Sequence, residues 1–259
     1  MTPIEKYYNK HKEDHRLTTR HGMVEYLVSM KYIHDYLPSE NKSSFKIADI
    51  GAGTGRYSVA LANEGYDVTA VELVKHNLEI LESKHAKVKC WPGDARNLSF
   101  LPDETFDLTI FFGPLYHLHS DKDRLQAYNE VKRITKKDGI ILTAYVLNDY
   151  SVITYCFHEE RINSIFETGH IDNTFHVQPS EEELYEYVRL EDIDRLNKMA
   201  GIERIKIFSP DGPADYMRRE LNAMSQETFD RFVQYQMCNA ERPELLGAGS
   251  HLVDIVKKR

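Results

Sequence analysis

The chain has 259 residues, 41% of them hydrophobic and 29% charged, with a formal net charge of −8. A chain this long buries roughly 70–75% of the surface it exposes when unfolded, enough for one sizeable domain. No apolar run approaches the roughly 18 residues of a membrane span, and the N-terminal MTPIEKYYNKHKEDHR has no apolar segment suited to a secretory signal. The acidic balance gives no global positive field toward a phosphate backbone, so membrane and nucleic acid are both disfavoured as partners. Cys90, Cys156 and Cys238 lie far apart with no C-x-x-C pair, which points to a reducing compartment, the cytosol. No feature sets an oligomeric state.

In chain order, the first clear element is a helix over about 22–37, with Met23, Tyr26, Leu27, Met30, Ile33 and Leu37 at helical spacing and Pro38 ending it. From residue 46, short apolar runs alternate with amphipathic stretches. Strands are expected at 46–50, 67–71, 87–91, 106–112 and 139–147, and helices at 56–64 and 75–84. Ser120 starts a further helix with Asp123 three residues on and Leu125, Tyr128, Val131 and Ile134 as its apolar stripe. Strands that are apolar throughout, separated by helices, predict a parallel sheet covered on both faces. After residue 148 the rhythm breaks. A helix over 190–200 is expected with Leu190, Ile193 and Leu196 inward and Gly201 closing it. A strand at 202–208, helical structure over 213–240 with Phe229, Phe232, Val233 and Met237 as a stripe, and a last strand at 251–258 complete the chain. The predicted fold is α/β: an open, doubly wound, mainly parallel seven-stranded sheet with an antiparallel last strand. Its organisation reads as an N-terminal helical cap (1–45), an α/β core (46–147), an insertion covering the site (148–189) and a C-terminal part of the core (190–259) with a helical insertion at 210–249.

The sharpest local signal is Asp49-Ile50-Gly51-Ala52-Gly53-Thr54-Gly55, between the first strand and the first helix after it. Glycines there let the backbone turn tightly and approach a ligand, and the helix start points N–H groups at it. The dinucleotide fingerprint needs a glycine where Arg56 stands, and no Gly-Lys-Ser/Thr follows, so a phosphate loop is disfavoured twice. Glu72 lies at the end of the second strand, roughly 20 residues after the first glycine, where a carboxylate can accept from both hydroxyls of a ribose. Asp94, after the third strand, can accept from an exocyclic amine such as that of adenine. Together these residues describe a nucleoside without a pyrophosphate, in the crevice at the carboxyl ends of the strands.

With these motifs the sequence resembles the class I S-adenosylmethionine-dependent methyltransferases over roughly residues 46–147. The residues carrying the likeness are IADIGAGTGRYS, Glu72, GDARNLSF, FDLTIFFGPLYHL and EVKRITKKDGIILTAYV. Lys137-Asp138-Gly139 stands where that family often has Pro-Gly-Gly, a difference in a turn. The resemblance implies S-adenosyl-L-methionine as cofactor, with Gly51, Ala52, Gly53 and Gly55 against its methionine part. It further implies Glu72 on the ribose with Leu73 beside the adenine, Asp94 and Ala95 at the adenine, and Phe112 and Gly113 beside the methionine moiety.

Methyl transfer from a sulfonium is an in-line displacement by an already activated donor, so alignment and exclusion of water dominate and a base is optional. Tyr116 and His117, in the loop after the fourth strand, are the candidate catalytic residues. His117 is a base by its near-neutral intrinsic pKa, or both residues simply line the pocket and pack the loop. Arg16, near Tyr7 and Arg20, is placed to pair with the cofactor carboxylate or to lie solvated on a helix face. No metal is expected: His11/His15 and His117/His119 lack a third ligand at a suitable spacing, and Ile162 breaks an H-E-x-x-H pattern after His158. The sixteen tyrosines suit either an aromatic acceptor pocket or ordinary core. The leading expectation is methylation of an oxygen or nitrogen of a small molecule. An RNA or protein methyltransferase, a nicotinamide oxidoreductase and a non-catalytic cofactor-binding protein are the alternatives.

Overall fold

Strands buried at most positions, apart from the edge strand at 88–92, dominate the middle of the chain, and they assemble into one sheet. The computed structural model describes residues 3–8, 17–180 and 183–258. A short helix α1 (Pro3–Tyr8) and helix α2 (Arg20–His34) precede β1 (Lys46–Ile50), α3 (Arg56–Asn63), β2 (Asp67–Glu72), α4 (Lys75–Ser83), β3 (Val88–Pro92) and β4 (Phe106–Phe111). Then come α5 (Asp121–Ile134), β5 (Thr135–Leu147), α6 (Asn148–Ser151) continued by a π-helical turn (Val152–Phe157), and α7 (Ile162–Glu167). The chain ends with β6 (Tyr187–Val188), α8 (Leu190–Ala200), β7 (Glu203–Phe208), α9 (Arg218–Ala223), α10 (Gln226–Asn239) and β8 (His251–Lys257).

The sheet order is β3-β2-β1-β4-β5-β8-β7, with β6 pairing β5 beside this path. Every pairing is parallel except those of β8, which runs antiparallel to both β5 and β7. The chain winds outward from β1 through β2 to β3 and then crosses back to β4 on the other side of β1. That reversal opens a crevice at the carboxyl ends of β1 and β4. Ser120 caps α5 by accepting the Asp123 N–H at 3.1 Å, and Asp121 and Asp123 sit at the positive end of the helix dipole. Ala127, Tyr128, Val131 and Ile134 of this helix are buried on the sheet, each large side chain contributing about 1.5–3 kcal/mol.

Four details differ from the sequence reading. The sheet has eight strands, because residues 187–188 of the irregular stretch add β6 along the end of β5. Leu190 is 38% exposed, whereas Ile193 and Leu196 are buried. Leu190 is the first residue of α8, where Arg189 and Asp192 form a capping box and the helix has not yet met the sheet. The 213–240 stretch is two helices, broken before Ser225, whose hydroxyl caps α10 by accepting the Thr228 N–H. Finally, α2 is covered on more than one side, so Val24, Val28 and Tyr32 are buried as well as the expected Met30 and Ile33. The second cover comes from the C-terminal helices: Arg20 donates to the carbonyls of Leu221 at 3.2 Å and Met224 at 2.9 Å, and Tyr32 donates to Glu241 at 2.8 Å. Among the described residues no helix is long and apolar enough to cross a membrane.

Candidate active site

A cavity of about 350 Å³ occupies the crevice, and the glycine loop forms its floor. Gly51, Gly53 and Gly55 have φ of +78°, +56° and +84°, a region closed to most side chains. At Gly51 a Cβ would come within 2.5 Å of the Pro114 ring, so the loops after β1 and β4 touch only because that atom is missing. At Gly53 a Cβ would meet nothing within 4 Å, and this open side belongs to the cavity.

Glu72 is 6% exposed and lines the cavity. Its two oxygens accept the N–H groups of Gly53 and Val74, each at 2.8 Å, which fixes the carboxylate at the end of β2 and ties it to the glycine loop. Carboxylate oxygens each have a second lone pair for a ligand hydroxyl. Leu73, 47% exposed, offers an apolar surface to the same cavity, suited to a flat ring. Asp94 and Ala95 line the cavity too, but the Asp94 carboxylate is held by Arg96, whose Nε and Nη2 donate to it at 3.1 and 2.6 Å. Those hydrogen bonds and the guanidinium charge keep Asp94 below the usual carboxylate range, although burial opposes them as the largest single influence. Asp49, beneath the loop, accepts a short hydrogen bond from Ser58, and burial raises its pKa to about 6.

After β4, Phe112 and Gly113 line the cavity, and Phe112 meets the Tyr57 ring edge-on at 5.2 Å. The following turn brings Tyr116 and His117 to the wall, where they pack with Tyr185 at centroid distances of 5.7 and 5.3 Å. Nδ1 of His117 lies 2.9 Å from the Leu184 carbonyl, which requires a proton on that nitrogen and leaves Nε2 to accept from the Tyr8 hydroxyl at 3.1 Å. Burial pushes the His117 pKa down to about 4, so the imidazole is neutral at pH 7. It is a weaker base than its free counterpart.

Arg16 lies outside the described residues, as do His11 and His15. Arg20 serves the contact between α2 and the C-terminal helices described above. Arg56, read from the sequence only as a missing glycine, lines the cavity, its guanidinium 4.4 Å from the centre of the Tyr26 ring. The buried Nε of Arg56 and Oδ1 of Asn77, both in cavity-lining residues, have no hydrogen-bond partner among the described residues. Buried polar groups of this kind cost about 1–3 kcal/mol each and are what a polar ligand satisfies. Glu25, Ser29, Ala144, His251 and Val253 also line the cavity. They come from segments distant in sequence, and no local motif marks them. No cluster of three metal-ligating side chains occurs among the described residues.

A glycine-floored crevice at the strand reversal, with a fixed carboxylate on the neighbouring strand, is an arrangement suited to a nucleoside in an open α/β protein. Residues 48–143 match the family described as "Methyltransferase domain", which is consistent with the class I S-adenosylmethionine-dependent methyltransferases. S-adenosylmethionine is its expected cofactor, and the paired lone pairs of Glu72, the open side of Gly53 and the unpartnered Arg56 and Asn77 atoms fit such a molecule. The chain is 34% identical over 100 residues to demethylmenaquinone methyltransferase of Paenarthrobacter aurescens, covering 38% of each sequence. It is 29% identical over 102 residues to glycine/sarcosine N-methyltransferase of Aphanothece halophytica, again 38% of each. The curated relatives are thus matched over less than half of their length. A SAM-dependent methyltransferase of Thermotoga maritima shares the fold, with a TM-score of 0.58 at 20% identity, over 99% of this chain and 98% of that one.

Proposed function

We propose that the protein transfers the methyl group of S-adenosylmethionine to an oxygen or nitrogen of a small molecule. The observation that carries this is the buried Glu72 carboxylate, fixed by Gly53 and Val74 and facing the same cavity as Tyr116 and His117. In this reading Glu72 holds the ribose hydroxyls, and Leu73, Asp94 and Ala95 surround the adenine. Gly51, Ala52, Gly53 and Gly55 lie along the methionine part with Phe112 and Gly113, and Arg56, which lines the cavity, pairs with the cofactor carboxylate, the role the sequence offered to Arg16. Bound there, the cofactor supplies an electrophilic methyl on a sulfonium, and the chain aligns the acceptor and keeps water out.

Tyr116 and His117 shape the acceptor wall. With Nδ1 bound to Leu184 and a pKa near 4, His117 positions the loop and Tyr8 in preference to collecting a proton. A small acceptor fits the cavity volume and its walls from α2, the loop after β4 and the start of β8. The segments 1–45, 148–189 and 210–249 would then act as cover over the 46–147 core. The net charge of −8 and the free Cys90, Cys156 and Cys238 suit a cytosolic enzyme that does not handle nucleic acid.

Isothermal titration with S-adenosylhomocysteine tests the cofactor assignment. Binding by the wild type, abolished in Gly53→Arg, is expected; a wild type that does not bind overturns it. Conversion of S-adenosylmethionine to S-adenosylhomocysteine with a metabolite panel separates an enzyme from a non-catalytic binder.

A further inference from the structure

Two histidines that follow β4 line the cavity, and their surroundings differ. Both ring nitrogens of His117 are engaged, Nδ1 by the Leu184 carbonyl and Nε2 by the Tyr8 hydroxyl. His119, two residues on, stands directly before Ser120, the cap of α5, and its side chain is 16% exposed. Its Nδ1 is buried and lies 3.4 Å from Oε2 of Glu186. Its Nε2 is not buried and has no hydrogen-bond partner among the described residues. Glu186 is a fixed carboxylate, 7% exposed, whose Oε1 accepts Nη1 of Arg124 at 3.0 Å. Arg124 is as deeply buried and also donates to Asp121 at 2.8 Å. The Glu186 backbone N–H donates to the Tyr116 carbonyl at 2.7 Å, so the residue before β6 is tied to the same turn that leads into His119. A buried carboxylate facing Nδ1 favours the tautomer with its proton there, which leaves the lone pair on Nε2. The contact is longer than a good hydrogen bond, and contacts of this kind tighten in the reacting complex.

We propose that His119, oriented by Glu186, is the general base for methyl transfer to an acceptor whose oxygen or nitrogen still carries a proton. This rests on the methyltransferase reading above. An ammonium group has no electron pair with which to attack, and a hydroxyl that attacked with its proton in place would end as a charged oxonium. In both cases the proton passes to Nε2 of His119, and the imidazolium so formed faces the Glu186 carboxylate. The acceptor's electron pair forms the new bond to the methyl carbon while the C–S pair returns to sulfur, leaving a neutral thioether and the methylated acceptor. His119 then releases its proton to solvent. His117 does not compete for this role, because the Leu184 carbonyl and the Tyr8 hydroxyl already take its two nitrogens. Glu186 is a positioning residue, since it acts on the acceptor only through the imidazole.

The test compares His119→Gln, His119→Ala and Glu186→Gln with the wild type. Melting curves and S-adenosylhomocysteine titration should show folded proteins whose affinity stays within about threefold of wild type. In methyl transfer from S-adenosylmethionine to a panel of small amines and phenols, His119→Gln should lose about 100-fold or more in kcat, as expected for removal of a general base. Imidazole added to His119→Ala should raise its kcat about tenfold, which a packing role would not allow. Glu186→Gln should lower kcat about tenfold with KM for the acceptor unchanged. A wild type that binds S-adenosylhomocysteine but methylates neither class overturns the proposal. So does an unchanged kcat in His119→Gln or Glu186→Gln, or a His119→Ala that imidazole does not restore. A larger loss of S-adenosylhomocysteine affinity in His119→Gln also overturns it, because the residue would then hold the cofactor. Failure of the wild type to bind S-adenosylhomocysteine overturns the underlying methyltransferase reading instead.

Discussion

Glu72 accepts the backbone N–H of Gly53 at 2.8 Å, joining the end of β2 to the middle of the glycine loop. Because its other oxygen accepts the Val74 N–H, the carboxylate faces two donors. In Glu72→Gln one end of the amide becomes a donor set against a donor. Affinity for S-adenosylhomocysteine should fall at least tenfold, since hydrogen bonds to a charged group contribute about 1.5–3 kcal/mol each. Calorimetric titration reads the affinity and a melting curve reads the loop's share. Equal affinity in the variant would refute the ribose assignment.

Asp49 should make the unliganded protein less stable as pH rises. Its folded pKa of about 6 lies above the ordinary carboxylate value. Its contribution is therefore fully present below about pH 4 and lost as pH rises through 6, an effect of up to about 3 kcal/mol. Asp49→Asn keeps an acceptor for Ser58 without a titratable group. Urea unfolding at pH 5 and pH 8 should show the variant gaining on the wild type at the higher pH.

His117 acts in the opposite sense. Its folded pKa of about 4 lies below the free value of 6.5. The unfolded chain thus binds the proton more readily, and stability falls as pH drops from 6.5 toward 4, by up to about 3 kcal/mol. Unfolding of His117→Gln should be flatter across that window. An equally steep decline in the variant would assign the acid sensitivity elsewhere.

The Asp94–Arg96 pair is about one-third exposed, with side-chain accessibilities of 32% and 39%. Pairs of this kind contribute about 0–1 kcal/mol. Arg96→Ala should leave the melting temperature nearly unchanged while releasing Asp94 toward an adenine amine, so that S-adenosylhomocysteine binds more tightly. Weaker binding would show that Arg96 itself touches the ligand.

The glycine-loop end of the cavity was legible because its determinants are local. The Gly51–Gly55 loop, Glu72 and Asp94 each follow a strand whose apolar run announces it, and the strand order brings them together. The opposite wall of the cavity was not. Glu25, Asp211 and His251 belong to three elements and meet only through the antiparallel return of β8, which no spacing reveals. His117 was visible as a residue, but its lowered pKa comes from burial, which outweighs the opposing pull of the Leu184 carbonyl. Leu190 was misplaced because periodicity cannot tell the first turn of a helix from its packed middle.

The clasp of α2 by α9 and α10, through Arg20 with Leu221 and Met224 and Tyr32 with Glu241, has a temporal consequence. On the ribosome the glycine loop and its sheet neighbours emerge well before the helices that secure α2. A nascent polypeptide can thus carry its glycine loop and Glu72 while the cavity wall formed by β8 is still unmade. C-terminal truncation would remove that wall together with the contacts that hold α2.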